Sequence, residues 1–155
     1  MLPHPDELRE FKLFQELNDR ELEVIAKVAR KEELGQGAYL TRTGAPANTL
    51  YLIRSGTVTV LATGPDGRDI AVDELGPGQI IGWSTLTGPY IFTASTVTKE
   101  KCNLIVINGN RLREIFEINN HIGYRVLKGV GYVVGRHVSA LQAKLAHLNV
   151  ADTQG

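Results

Sequence analysis

The stretch Gly76-Pro77-Gly78-Gln79-Ile80-Ile81-Gly82-Trp83-Ser84-Thr85-Leu86, with Ala94-Ser95-Thr96-Val97 after it, has the spacing with the clearest chemical meaning. It reads as a short apolar strand, a glycine turn, one helical turn and a returning strand. Such a turn aims successive backbone N–H groups into one small space, where they can cradle a phosphate without help from side chains. Ser84, Thr85, Tyr90 and Thr93 would supply hydroxyls around that space, and Trp83 a flat aromatic face. Positive charge is missing, because no Lys or Arg lies between Arg68 and Lys99. Two readings fit these residue types. The pocket takes an uncharged or planar ligand stacked on Trp83, or Trp83 fills it as core.

The rest of the chain offers little reactive chemistry. His4, His121, His137 and His147 lack metal-ligand spacing, so no metal is expected. Cys102 stands alone, which rules out an intramolecular disulfide and an iron–sulfur sensor, and fits a reducing compartment. No nucleophile–base motif, P-loop or paired-carboxylate pattern stands out, and Asp73-Glu74 reads as a solvated pair. The expected role is therefore binding rather than catalysis. With 17 acidic and 17 basic residues the net charge is zero, which gives no electrostatic reason to expect nucleic acid or an anionic membrane as partner. Apolar runs such as residues 104–107 fall far short of the roughly 20 residues needed to span a bilayer. The N-terminus lacks the layout of a signal peptide, so a cytoplasmic protein is expected.

The elements that must position the glycine turn follow from periodicity. Leu8, Phe11, Leu13, Phe14 and Leu17 predict a short apolar helix, and Asn18 or Asp19 caps a second one reaching about residue 30. Residues 31–107 switch to short β-rich runs at 49–53, 57–61, 69–72 and 102–107, punctuated by glycines, as in a sandwich or barrel. Gly64-Pro65-Asp66-Gly67 predicts a tight turn between two of them. Residues 108–149 return to helical period, with a short helix at 111–117 that turns Leu112, Ile115 and Phe116 inward. A long helix covers about 120–148, and fraying is expected from residue 149 onward. The 155 residues, 43% of them apolar, suffice for one domain with a real core.

The long helix carries its own signal. Leu127, Val134, Leu141 and Leu148 fall seven apart, with Gly131, Val138 and Leu145 at the alternate seam position. Three sustained heptads predict pairing with a second copy across a two-fold axis, and the alternative is a helix packed on its own β-domain. Gly123, Gly129, Gly131 and Gly135 weaken the first half of this helix, which suggests a hinge responsive to pocket occupancy.

In this order, helix, glycine-punctuated β-roll, short helix and long helix, the chain resembles the cyclic-nucleotide-binding domain family. The motifs that carry the likeness are Phe14-Gln15-Glu16-Leu17, Gly37-Ala38-Tyr39-Leu40-Thr41-Arg42-Thr43-Gly44-Ala45-Pro46-Ala47, Leu50-Tyr51-Leu52-Ile53-Arg54-Ser55-Gly56-Thr57-Val58 and Leu75-Gly76-Pro77-Gly78-Gln79-Ile80-Ile81-Gly82. The resemblance implies a mainly β fold, an eight-stranded jelly roll with N-terminal helices and a long C-terminal dimerisation helix. It also implies a ligand-sensing regulatory role with cAMP or cGMP as the ligand. The family's cassette places a Glu after the glycine for the ribose hydroxyl, and an Arg eleven residues after that glycine for the phosphate. Here those positions hold Trp83 and Thr93, followed by Ala94, which argues against tight nucleotide binding. His137 and Ser139 fall near the family's base-capping positions, although His137 alone reads as a solvated or seam-flanking residue. The family's transcription regulators continue into a helix-turn-helix, and no such DNA-binding segment is visible here. A stand-alone sensor, a scaffold with a vestigial pocket and the sensor half of a regulator are the readings left open, the first two acting on an unknown protein partner.

Overall fold

The computed structural model describes residues 1–154, with side chains through Leu148. Helix α1 (Pro5–Arg9) starts from a capping box, in which the His4 ring accepts the Asp6 N–H and Glu7 reaches back to the His4 N–H. It does not extend into one helix as far as Leu17. Phe11 leaves in extended conformation, and a separate 3₁₀ turn follows (Lys12–Phe14). Asn18 and Glu21 form a second capping box that opens α2 (Asp19–Ala26). This helix ends four residues before the boundary expected from sequence. Ala29 is already in strand β1 (Ala29–Leu34), which pairs along its length with β8 (Cys102–Asn108).

Between them lie β2 (Tyr39–Thr41), β3 (Thr49–Ser55), β4 (Val58–Thr63), β5 (Asp69–Leu75), β6 (Ile80–Ile81) and β7 (Ser95–Thr98). These strands form two antiparallel sheets of four, ordered β1-β8-β3-β6 and β2-β7-β4-β5. The result is a mainly β jelly roll flanked by helices, as the sequence predicted. The turn at Gly64–Gly67 closes the β4–β5 hairpin, with Gly67 at φ +82° and its N–H donating to Gly64 O (3.0 Å).

Two cores share the first sheet, which explains why β3 and β8 read as almost continuously apolar. Leu50 and Leu52 of β3, with Ile105 and Ile107 of β8, face the helices and bury Leu8, Phe11, Phe14, Leu22 and Ile25. The alternate residues Ile53, Leu104, Val106 and Cys102 face the second sheet and pack with Leu40, Val58 and Ile81. Burial pushes the Cys102 thiol above its ordinary value, and the charge of Glu100 adds to the shift, so Cys102 is a packing residue.

Helix α3 (Gly109–Ile118) is capped by Asn108, and helix α4 runs from Asn120 to Gln154, past the expected fraying point at Asn149. Ile122, Val126 and Val130 bury one stripe of α4 against the helix-side core, and Val133 and Val134 cover its edge. Gly129 crosses the 3₁₀ turn so closely that an added Cβ would sit 3.0 Å from Leu13 Cα and from Leu13 O. Gly123 similarly faces Phe116 at 3.0 Å. These two glycines are therefore contact residues in a packed crossing, whereas Gly131 and Gly135 face open space. From Gly135 to Leu148 every residue is exposed, and this half of α4 meets the β-domain through His137 and Lys144, which approach Asp73 of β5.

Candidate functional site

The glycine turn forms as the sequence suggested, and its backbone explains the residue types. Gly82 sits at φ +85°, and a Cβ there would lie 2.8 Å from Thr49 O and 3.1 Å from Phe92 Cε1. A 3₁₀ turn (Trp83–Thr85) follows, closed by Thr85 N–H to Gly82 O (2.9 Å) and Leu86 N–H to Trp83 O (3.0 Å). Thr85 is fully buried and donates its hydroxyl to Thr49 O at 2.9 Å, so it is spent on holding the turn to β3. Its methyl group also fixes the start of α3, because a Cβ at Gly109 would lie 2.2 Å from Thr85 Cγ2. Ser84 and Leu86 are buried as well.

Trp83 is partly buried and packs against the helix-side core. Of the two roles read from sequence, core packing has a contact behind it. Thr93 is exposed, and Ala94 is half-buried with its carbonyl accepting the Thr41 hydroxyl (3.0 Å). The returning strand β7 lines the inner face with hydroxyls rather than charges. Thr41 and Thr96 bond at 2.8 Å, and the Thr98 hydroxyl donates to Gly35 O at 2.7 Å. These buried groups satisfy one another, at a net gain of about 1 kcal/mol per bond.

Tyr90 adopts φ +61°, a left-handed backbone that a bulky residue rarely takes. Its ring lies under Arg113 of α3, with the guanidinium carbon 4.7 Å from the ring centre. The same guanidinium donates to Thr85 O (2.6 Å) and to Asn110 Oδ1. Arg113 thus joins the turn, the segment after it and α3, a role that sequence reading missed. The signal was hard to find, because the bond to Thr85 spans 28 positions and no local spacing marks it.

The structure does not bring His137 and Ser139 to the turn through any described contact. Both are exposed on α4, and His137 Nδ1 faces Asp73 Oδ2 of β5 at 3.8 Å. Lys144, two turns further along α4, approaches Asp73 Oδ1 at 3.9 Å. Both pairs are long and join an exposed cation to the half-buried Asp73, so each is weak at physiological salt. The predicted seam behaves differently from the buried stripe. Leu127, Gly131, Val138, Leu141, Leu145 and Leu148 are all exposed, and Val134 alone is partly covered by the body. The packing alternative read from sequence therefore falls to Ile122, Val126 and Val130, the last two each one residue before a seam position.

The sequence family described as "Cyclic nucleotide-binding domain" matches residues 31–119, from β1 through α3. The chain belongs to the cyclic nucleotide-binding domain family. Among curated relatives, the anaerobic regulatory protein of Bacillus subtilis is 26% identical over 134 residues, covering 86% of this chain and 55% of that protein. The CRP-like cAMP-activated global transcriptional regulator of Mycobacterium tuberculosis is 24% identical over 143 residues, covering 92% of this chain and 62% of that one. The chain thus spans about half the length of the curated relatives it matches. A crystal structure from Geobacter metallireducens superposes with TM-score 0.80 at 28% identity, covering 88% of this chain and 99% of that one. The catabolite activator protein of Thermus thermophilus shares the fold, with TM-score 0.70 at 22% identity, covering 89% of this chain and 63% of that one.

Among the described residues, no cluster of His, Cys, Asp and Glu could hold a metal ion, and no helix is long and apolar enough to cross a membrane.

Proposed function

We propose that this cyclic nucleotide-binding domain is a ligand-sensing regulatory module that holds cAMP or cGMP only weakly and pairs with a second copy through α4. The observation that supports it is an intact cassette turn at Gly82 within an uncharged stretch, residues 75–98. The turn still offers backbone N–H groups, but Trp83 and Thr93 occupy the positions where the family resemblance implies a Glu and an Arg. Each missing charge-assisted hydrogen bond is worth about 1.5–3 kcal/mol. Both together would weaken binding by ~10²–10⁴-fold relative to a complete cassette. An uncharged or planar metabolite would suffer no such loss, and Tyr90, Thr93 and the hydroxyl-lined β7 would give it polar partners.

Pairing through α4 draws support from the exposed segment 135–148, which touches the β-domain at Asp73 through His137 and Lys144. A single solvated helix of that length is marginal in water, and its apolar seam gains stability when a second helix covers it. The packing of Trp83 against the helix-side core favours a second reading, a closed pocket in a protein that acts as a scaffold.

Calorimetric titration with cAMP and cGMP tests the ligand reading. Saturation only in the millimolar range supports it, and saturation at micromolar nucleotide or below refutes it. Sedimentation of the protein and of a Leu141→Asp variant tests the pairing, with a dimer expected for the first and a monomer for the second.

A further inference from the structure

A cavity of about 290 Å³ lies on the first sheet, lined by Lys31, Glu32, Glu33, Arg54, Asn103 and Leu104. Thr49, which touches the cassette turn, opens β3, and Arg54 lies near the other end of that strand, so the cavity is remote from the turn. Strand register explains how the charges meet. Lys31 and Glu33 are two apart in β1 and share a face, and Asn103 of β8 lies opposite Glu33. β3 meets β8 with a register shift between Ile53 and Ser55, which leaves Arg54 unpaired in a bulge. A bulge re-aims a side chain, and this one carries Arg54 to Glu7 of α1.

Lys31 Nζ and Arg54 Nη1 both approach one carboxylate oxygen, Glu7 Oε2, at 2.8 and 2.5 Å. The other Glu7 oxygen accepts the His4 N–H. One acid thus holds two cations side by side. The Nε–Nη2 edge of a guanidinium is suited to bidentate contact with a carboxylate, and in Arg54 it is unfilled among the described residues. Nε is buried without a hydrogen-bond partner, and Nη2 meets only Glu10 Oε1, at 3.7 Å. Negative charge gathers beyond them. Glu33 pairs with Lys101 and Glu32 with Arg30, each at 3.1 Å. The Asn103 side-chain N–H donates to Ser55 Oγ (2.8 Å), which leaves the Asn103 side-chain carbonyl without a described partner.

We infer that this cavity binds a small zwitterion of the amino-acid class, with its carboxylate on Lys31 and the Nε–Nη2 edge of Arg54 and its ammonium group on Glu33 and the Asn103 carbonyl. A simple anion would meet Glu32 and Glu33, and a simple cation would meet Lys31 and Arg54. A ligand carrying both charges gains at both sides, and the like-charge contacts reject the others. The carboxylate takes the place beside Nη2 that Glu10 now holds loosely. Leu104 is the single apolar lining residue, so the ligand's own side chain is short or polar. The inference is independent of the cassette, which lies at the other end of β3.

Calorimetry on the whole chain tests it, with glycine, L-serine and L-glutamine as probes. At least one should saturate at millimolar concentration or below, and its N-acetyl and carboxamide derivatives should each bind about tenfold more weakly or worse. Glu33 is exposed and pairs only with Lys101, so Glu33→Gln carries the test free of folding effects. It should weaken the amino acid by about tenfold and leave the N-acetyl derivative unchanged. Arg54→Lys keeps the charge but loses the chelating edge and should weaken binding too, with its melting temperature checked in parallel. Glu10→Gln removes a competitor and should tighten binding. Arg68→Gln, on the β4–β5 turn, and added cAMP should change nothing. Absence of binding by all three probes at millimolar concentration, equal binding of the derivatives, an unchanged affinity in Glu33→Gln or displacement by cAMP would overturn the inference.

Discussion

An arginine at position 93 would supply the charge that the cassette lacks, and the structure makes this substitution mild. Thr93 is exposed and makes no described side-chain hydrogen bond, and its neighbours Phe92 and Ala94 are held by their own packing and backbone contacts. Thr93→Arg therefore removes nothing the fold uses. If the backbone turn at Gly82 still presents its N–H groups to a cyclic phosphate, the new guanidinium adds one charge-assisted interaction. That is worth about 1.5–3 kcal/mol, or ~10- to 150-fold in affinity. Trp83 remains, so the ribose contact is not restored and the gain stops there. The assay is calorimetry with cAMP and cGMP, alongside the fluorescence of Trp83, the single tryptophan, which borders the turn. Thr93→Gln controls for size and hydrogen bonding without charge. The unmodified protein should saturate only at millimolar nucleotide, and Thr93→Arg should shift the curve by that factor in a salt-dependent way. Equal curves for Thr93→Arg and Thr93→Gln would refute the reasoning, because the cradle would then not face a phosphate at all.

Other outcomes follow from the packing. Gly109→Ala would place its Cβ 2.2 Å from Thr85 Cγ2 and 2.8 Å from Asn48 O, and should destabilise the protein by about 1–3 kcal/mol in urea unfolding. Gly129→Ala meets Leu13 backbone at 3.0 Å and should lower stability, whereas Gly131→Ala faces open space within one chain. The second change should raise helix stability by about 1 kcal/mol, unless it also weakens self-association on sedimentation, which would place a partner helix at Gly131. Burial acts to raise the Glu7 carboxyl, but the Lys31 hydrogen bond, the His4 N–H and the Arg54 charge outweigh it and hold the group below its usual 4.5. Its contribution is thus fully present above that pH and is lost as pH falls through the lower folded value, so Glu7→Gln should flatten the acid limb of the stability profile. Cys102, buried and raised, should resist alkylation at neutral pH until the protein unfolds.

Much of the β-domain was legible because its strongest strands bury both faces. The runs at 49–53 and 102–107 are apolar at successive positions, since odd and even residues enter different cores. β1 was not legible. Its sequence, Ala-Arg-Lys-Glu-Glu-Leu, lies at an edge, mostly exposed, and only its ladder with β8 makes it a strand. The same weakness misplaced the end of α2, because helical propensity continues through Arg30 while pairing with β8 begins at Ala29. At the site, the glycine turn could be read from spacing, since left-handed backbone demands glycine at residue 82. Arg113 could not, because its partners lie on elements far away in sequence.

By itself the sequence determined the order of elements, the glycine turn and its lack of charge, and the apolar seam of the long helix. These are local properties, set by backbone freedom at glycine, by side-chain period and by which residue types are absent. Tertiary structure alone decided that Trp83 packs on the helix-side core, that Gly129 sits at a close crossing with Leu13, and that Arg113 stacks on Tyr90 while bonding Thr85 O. The physical reason is the same in each case. Packing direction, close approach and the pairing of charges depend on what lies across space, and neighbours along the chain do not specify it.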